Sequence, residues 1–279
     1  MAYQRVLVGT DYSDASLEAA RLAMRLGDET TRVRVARVTP FIEMPAQVDI
    51  NATLQRSNLY AWCDKAGITT REQVLLYGSS AHELAREATS MQADLVVVGH
   101  TGGSRLAHAL LGSVARSLAR IAPCDTLVVR GSLSAAGPPF RSILVATDLY
   151  EPSARAAKRA KDVAKACGAS LAIVHAIDPD LWQHALRMPP GTLANASDWV
   201  DQTYGDMLHK FNAEHLGGEA KEILTHGHPA KAVADEARAI RADLVVVGTH
   251  GARGIERLLL GAHAEAIVER APCSVLVVR

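Results

Sequence analysis

One stretch occurs twice in this chain, and no other feature constrains its fold as much. Asp94-Leu95-Val96-Val97-Val98-Gly99-His100-Thr101-Gly102 leads on to Gly112-Ser113, and Asp243-Leu244-Val245-Val246-Val247-Gly248-Thr249-His250-Gly251 leads on to Gly261-Ala262. In each copy an aliphatic run ends at glycine, loops out, and returns through glycine into an amphipathic helix. Such a run, apolar on both faces, marks a buried strand of a parallel sheet. The repeat reaches further: Arg5–Asp11 returns as Ser142–Asp148 and Ile121–Arg130 as Arg270–Arg279, so the second copy holds twelve more residues than the first. The surplus falls between Pro179 and Gly218. Gly131–Pro139 is small, uncharged and rich in Pro and Gly, which reads as a linker. The expected organisation is a domain over 1–132, a linker over 133–139 and a domain over 140–279.

Within the first copy strand and helix patterns alternate. Strands are expected at Val6–Val8, Val33–Val38, Val74–Tyr77, Leu95–Val98 and Leu127–Val129. Between them, Ser13 or Asp14 caps a helix with the stripe Leu17, Ala20, Ala23, Met24, and residues from about Gln47 to Lys65 read as helix. Ser79 or Ser80 caps a third helix with Leu84, Ala85 and Ala88 inward, and Val114–Ile121 is a fourth. Alternation of this kind gives a parallel sheet covered on both faces, with ligands beyond the carboxyl ends of its strands. Asp11, Tyr77 and Gly99 stand at such ends, as do Asp148, His226 and Gly248 in the second copy.

Composition narrows the function. At 279 residues the chain is long enough for two domains, and 48% hydrophobic with 22% charged residues describes a globular protein. Thirty basic residues balance thirty acidic ones, so neither nucleic acid nor an anionic membrane is an expected partner. No apolar run approaches the ~18 residues of a membrane helix. The first residues have no signal-peptide layout, and Cys63, Cys124, Cys167 and Cys273 form no Cys-x-x-Cys pair. A cytoplasmic protein without a cysteine zinc site is the expectation.

The spacing Gly99-x2-Gly102-x9-Gly112-Ser113 has a physical rationale. Glycines let backbone approach a guest closely, and amides bared by Gly99, Gly102 and Gly112 form a cup for an anion. The Ser113 hydroxyl and the helix N-terminus behind it suit phosphate oxygens. Asp11, at the neighbouring strand end, offers an acceptor to an amino group or a hydroxyl. Two plainer readings stand beside these: the glycine loop as turn chemistry alone, and Asp11 as a helix cap. Since Ser13 and Asp14 are available for capping, the ligand role is favoured for Asp11.

With Val-Leu-Val-Gly-Thr-Asp, Asp-Leu-Val-Val-Val-Gly, the glycine spacing, and Ala-Pro-Cys before the last strand, the chain resembles the universal stress protein family in tandem form. The resemblance implies two five-stranded parallel α/β sandwiches, Rossmann-like, with strand order 3-2-1-4-5. Pairing of last strands in that family implies an internal pseudo-dimer. It also implies binding of ATP or AMP by a stress-response sensor or regulator, with a homodimer or an unidentified protein partner left open. Asp11 would then meet adenine, Val38 would offer backbone to the base, Gly99 and Gly102 would line base and ribose, and Gly112, Ser113 and the Val114 amide would hold phosphates. The matching second-copy positions are Asp148, Gly248, Gly251 and Gly261, but Ala262 stands where Ser or Thr is expected. The first copy is therefore the better nucleotide site, and the second is weak, empty or altered.

Efficient phosphoryl transfer is not expected, because no Gly-x4-Gly-Lys-(Ser/Thr) loop and no base–nucleophile pair is apparent. Slow ATP hydrolysis is the most the motif supports. Two rivals remain: a zinc-assisted hydrolase using His226, His228, His250, His263 and Asp148 of the histidine-rich second copy, and an interaction protein whose glycine loops are relics. Cys124 and Cys273 read as small buried hydrophobes, and His175, following a strand, as a packed residue. The segment Pro179–Gly218, with Trp182, Met188, Trp199, Tyr204 and Met207, reads as a core-packed helix or a lid, with a break at Pro189-Pro190-Gly191.

Overall fold

The computed structural model describes residues 3–39, 45–68, 72–102, 111–131, 137–178, 196–249 and 260–279. Gly251, His250, Trp182, Met188 and the Pro189-Pro190-Gly191 break lie outside the described residues, as do 132–136 of the expected linker. Two compact units emerge, with the main division between Pro139 and Phe140.

In the first unit β1 (Arg5–Thr10), α1 (Asp14–Leu26), β2 (Arg32–Thr39), α2 (Pro45–Ala66) and β3 (Gln73–Tyr77) are followed by α3 (Ser80–Ser90), β4 (Leu95–Gly99), α4 (Ser113–Ile121) and β5 (Asp125–Val129). The strands lie in the order β3-β2-β1-β4-β5, and β1 pairs in parallel with both β2 and β4. Val6, Leu7 and Val8 of β1 and Leu95, Val96 and Val97 of β4 are inaccessible to solvent. That burial is why these strands are apolar at successive rather than alternate positions. Ser13 caps α1, its side chain accepting from the Ser16 amide. Helix α1 buries Leu17, Ala20 and Ala23 as expected, together with Ala19, Leu22 and Leu26, whereas Met24 is only half-buried. Ala81, Leu84 and Ala88 form the buried face of α3, and Ala85 sits at its margin.

The second unit repeats the plan with β6 (Ser142–Ala146), α5 (Glu151–Cys167), β7 (Ser170–Ile177), α6 (Ala196–Leu216), β8 (Lys221–His226), α7 (Pro229–Ala239), β9 (Leu244–Gly248), α8 (Ala262–Arg270) and β10 (Ser274–Val278). Its strand order is β8-β7-β6-β9-β10, the same 3-2-1-4-5 pattern. Helix α6, with 21 residues, is the counterpart of the 22-residue α2, so the twelve-residue surplus falls before it in the chain. It docks through Leu208, Phe211 and Leu216 and through buried Asn212, whose amide donates to the Ala220 carbonyl at 2.9 Å. Trp199 is 67% exposed and Met207 42%, so the expectation of core packing fails for both.

Candidate functional site

The turn after β1 is held by a hydroxyl brace. Tyr12 has φ 68, a left-handed conformation that costs a residue with a Cβ about 1–2 kcal/mol. Hydrogen bonds enforce it. The Tyr12 amide donates to Thr10 Oγ1 at 3.0 Å, Thr10 Oγ1 lies 3.1 Å from Ser16 Oγ, and Ser16 Oγ donates to the Ser13 carbonyl at 2.9 Å. The second unit repeats the device: Leu149 has φ 69, its amide donates to Thr147 Oγ1 at 2.9 Å, and Thr147 Oγ1 lies 2.8 Å from Ser153 Oγ. Thr and Ser six residues apart in both copies were the available signal, and motif reasoning passed over it. The brace fixes where Asp11 and Asp148 point.

Asp11 turns out to serve the helix and the cavity together. Its Oδ1 accepts from the Ser13 amide at 3.0 Å and from the Ser13 hydroxyl, orienting the residue that caps α1. Its Oδ2 faces the glycine loop, where a Cβ on Gly102 would stand 2.9 Å away. The two glycines flanking Gly102 in the motif have different reasons. At Gly99 a Cβ would meet the Ala15 carbonyl carbon at 2.7 Å, so glycine is required there by α1 packing on β4. At Gly112 a Cβ would approach the His100 carbonyl oxygen at 3.2 Å, and the Gly112 amide donates to that same oxygen at 2.7 Å. The expectation that Gly112 bares its own amide to a guest is thereby corrected. Closing the loop consumes that donor.

The donors that remain come from α4. Gly112 is its N-cap without a side-chain cap, and the first backbone bond of the helix runs from the Arg116 amide to the Gly112 carbonyl. The amides of Ser113, Val114 and Ala115 are thus first-turn donors without intrahelical acceptors. No acidic residue stands in that first turn. Three amides, the Ser113 hydroxyl and the positive end of the helix make a place for an anion.

These groups line a cavity of about 490 Å³ that Asp11, Val38, Gly99, Gly102, Gly112 and Val114 share with Arg37. Ligand pockets generally run from ~300 to 1,000 Å³. Arg37 is the residue the sequence argument missed. Register pairs it with Thr10, its Nη1 donates to the Thr10 carbonyl at 3.3 Å, and its guanidinium lies 4.9 Å from the Tyr12 ring centroid. Burial pushes the Tyr12 phenol up, with Arg37 pulling the other way. Tyr77, at the end of β3, is not among the residues lining this cavity.

The second unit has a cavity of about 170 Å³ in the corresponding place, lined in part by Asp148, His175, Gly248, Gly261, Ala262 and His263. Gly261 caps α8 as Gly112 caps α4, and its amide donates to the Thr249 carbonyl at 2.7 Å. His175 occupies the strand position of Arg37. It lies inside β7 rather than after a strand, and it is a lining residue as well as a packed one.

The histidines named for zinc are divided between other contacts. His226 Nε2 lies 3.0 Å from Asp201 Oδ1, and the His228 and His263 rings meet edge to face at 5.6 Å. Among the described residues, no three metal-ligating side chains come together. Cys124 and Cys273 are half-exposed, contrary to the reading of both as buried. The buried thiol is Cys63, pushed up to about 11 by burial. Among the described residues, no helix is long and apolar enough to cross a membrane.

Residues 2–130 and 139–279 each match the universal stress protein family. The chain belongs to that family. Universal stress protein MJ0531 of Methanocaldococcus jannaschii is 32% identical over 143 residues, covering 50% of this chain and 82% of that protein. Universal stress protein Rv1996 of Mycobacterium tuberculosis is 30% identical over 207 residues, covering 74% of this chain and 64% of that protein. A universal stress protein from Archaeoglobus fulgidus has the same fold across 99% of this chain and 98% of its own, with TM-score 0.67 and 22% identity. Both copies of the glycine motif in this universal stress protein chain therefore lie within matched domains.

Proposed function

We propose that this universal stress protein binds ATP or AMP in its first domain and acts as a nucleotide-responsive regulator of the stress response. The observation that carries the reading is the first cavity. Its α4 amides without intrahelical acceptors and the Ser113 hydroxyl offer donors to an anion, and Asp11, lining the same cavity, offers an acceptor to an amino group or hydroxyl. Size agrees, since about 490 Å³ accommodates a nucleotide. Among the described lining residues there is no lysine to meet β- and γ-phosphates, which favours binding over phosphoryl transfer.

Isothermal titration of the full chain with ATP, AMP and cAMP tests this. One nucleotide should bind per chain, Gly112→Val should abolish binding, and Gly261→Val should leave it intact. Equal losses in the two variants, or no heat with any nucleotide, would overturn the reading.

A further inference from the structure

The second cavity differs from the first in a consistent direction. At equivalent positions Ser113 gives way to Ala262, Arg37 to His175, Ser80 to Pro229 and Gly9 to Ala146. Each change removes a donor, a cation or space. In the first turn of α8 stands Glu265, where α4 has Arg116, so an acid already lies at the positive end of that helix. No arginine or lysine is among the described residues lining this cavity.

Its buried side-chain atoms without partners are acceptors, although the amides of Ala262, His263 and Ala264, like those that open α4, have no intrahelical acceptor. Asp148 Oδ1 accepts from the Tyr150 amide at 3.2 Å, while Oδ2 is buried without a partner. His175 is 7% exposed, with Nδ1 2.9 Å from the Thr147 carbonyl. A carbonyl only accepts, so Nδ1 carries the proton and Nε2 of the neutral ring is an acceptor. That Nε2 is also buried without a partner. The Tyr204 ring, stacked 5.1 Å away with its plane nearly parallel, covers one imidazole face and supplies no donor to Nε2. Burying two acceptors without donors is costly, and a guest that brings the donor relieves it.

We infer that the second cavity binds a small, single-ring amine lacking phosphate, its N–H groups donating to Asp148 Oδ2 and His175 Nε2. Volume sets the size: about 170 Å³ is close to the roughly 150 Å³ cavity that holds one benzene ring. Ala146, Val174, Val233, Val247 and Ile267 supply apolar walls for the ring. The two domains of one chain thereby read unlike ligands, an anion in the first and a donor-bearing amine in the second.

The test is a titration of the full chain, first saturated with ATP, with benzylamine and 4-aminopyridine followed by amide NMR, using benzoate as the anionic counterpart. An amine should saturate one site, with shifts centred on Asp148 and His175, and benzoate should not. Asp148→Asn should weaken the amine roughly ten- to a hundred-fold, the loss of one charge-assisted bond, and leave ATP affinity unchanged. Ala176→Leu, which narrows the cavity without altering charge, should block the same shifts even if Asp148→Asn fails to fold. Absence of saturation, equal binding of benzoate, or amine binding undiminished in the foldable variants overturns the inference. A second equivalent of ATP lost with Asp148→Asn overturns it too, by making this a second nucleotide site.

Discussion

Gly102→Ala isolates the contact on which the first cavity depends. The backbone at Gly102 is not left-handed, so alanine adds no conformational strain. Its methyl group would lie 2.9 Å from Asp11 Oδ2 and, among the described residues, meet nothing else within 4 Å. Carbon–oxygen contacts settle near 3.3–3.6 Å, so the carboxylate must yield by roughly half an ångström. Rotation pulls Oδ1 from the Ser13 amide, now 3.0 Å away, and disturbs the cap of α1. Because Asp11 is exposed, water compensates, and the stability loss should be about 1 kcal/mol. The loss to a nucleotide is larger: a displaced charged acceptor removes about 1.5–3 kcal/mol, or roughly ten- to a hundred-fold in affinity. Urea unfolding and ATP titration of Gly102→Ala, Asp11→Ala and the double variant measure both. If the methyl acts through Asp11, the double variant should be no worse than Asp11→Ala alone. Equal, additive losses in the two backgrounds would refute the reasoning.

Thr10→Val removes the buried hydroxyl that fixes the left-handed Tyr12 and should cost about 1–3 kcal/mol in urea unfolding. Thr147→Val should cost the same, and a change under about 0.5 kcal/mol in either would discount the brace. Gly99→Val drives a side chain into Ala15 backbone and should destabilise by about 1–3 kcal/mol even without nucleotide; unchanged stability would return that glycine to ligand approach alone. Ser113→Ala should weaken ATP up to about a hundred-fold while leaving thermal stability unaltered. Burial holds His175 below its ordinary pKa, so the unfolded chain takes up its proton first on acidification. Its contribution is complete above about pH 6.5 and is lost as the pH falls from there through the lowered folded value. The thermal midpoint of the native chain, measured from about pH 8 to pH 5, should therefore fall more steeply than that of His175→Phe, and parallel curves would exclude it.

What one dimension contained was whatever depends on local pattern and on repetition. Apolar runs such as Leu95–Val98, buried on both faces, announce parallel strands because a strand covered on both faces has no polar side to show. The doubled glycine spacing located both loops, and Ala262 in place of a hydroxyl announced that the two copies are unlike. What only folding decided is which atoms meet across strands. Arg37 and His175 belong to the two cavities because parallel register sets them beside Thr10 and Thr147, partners 27 and 28 residues away. Gly99 and Gly112 look alike in a motif, yet one makes room for Ala15 and the other for the His100 carbonyl. Spacing along a chain records which residue types recur. The reason for each is a contact at van der Waals range, and that exists only once the helix has been laid against the sheet.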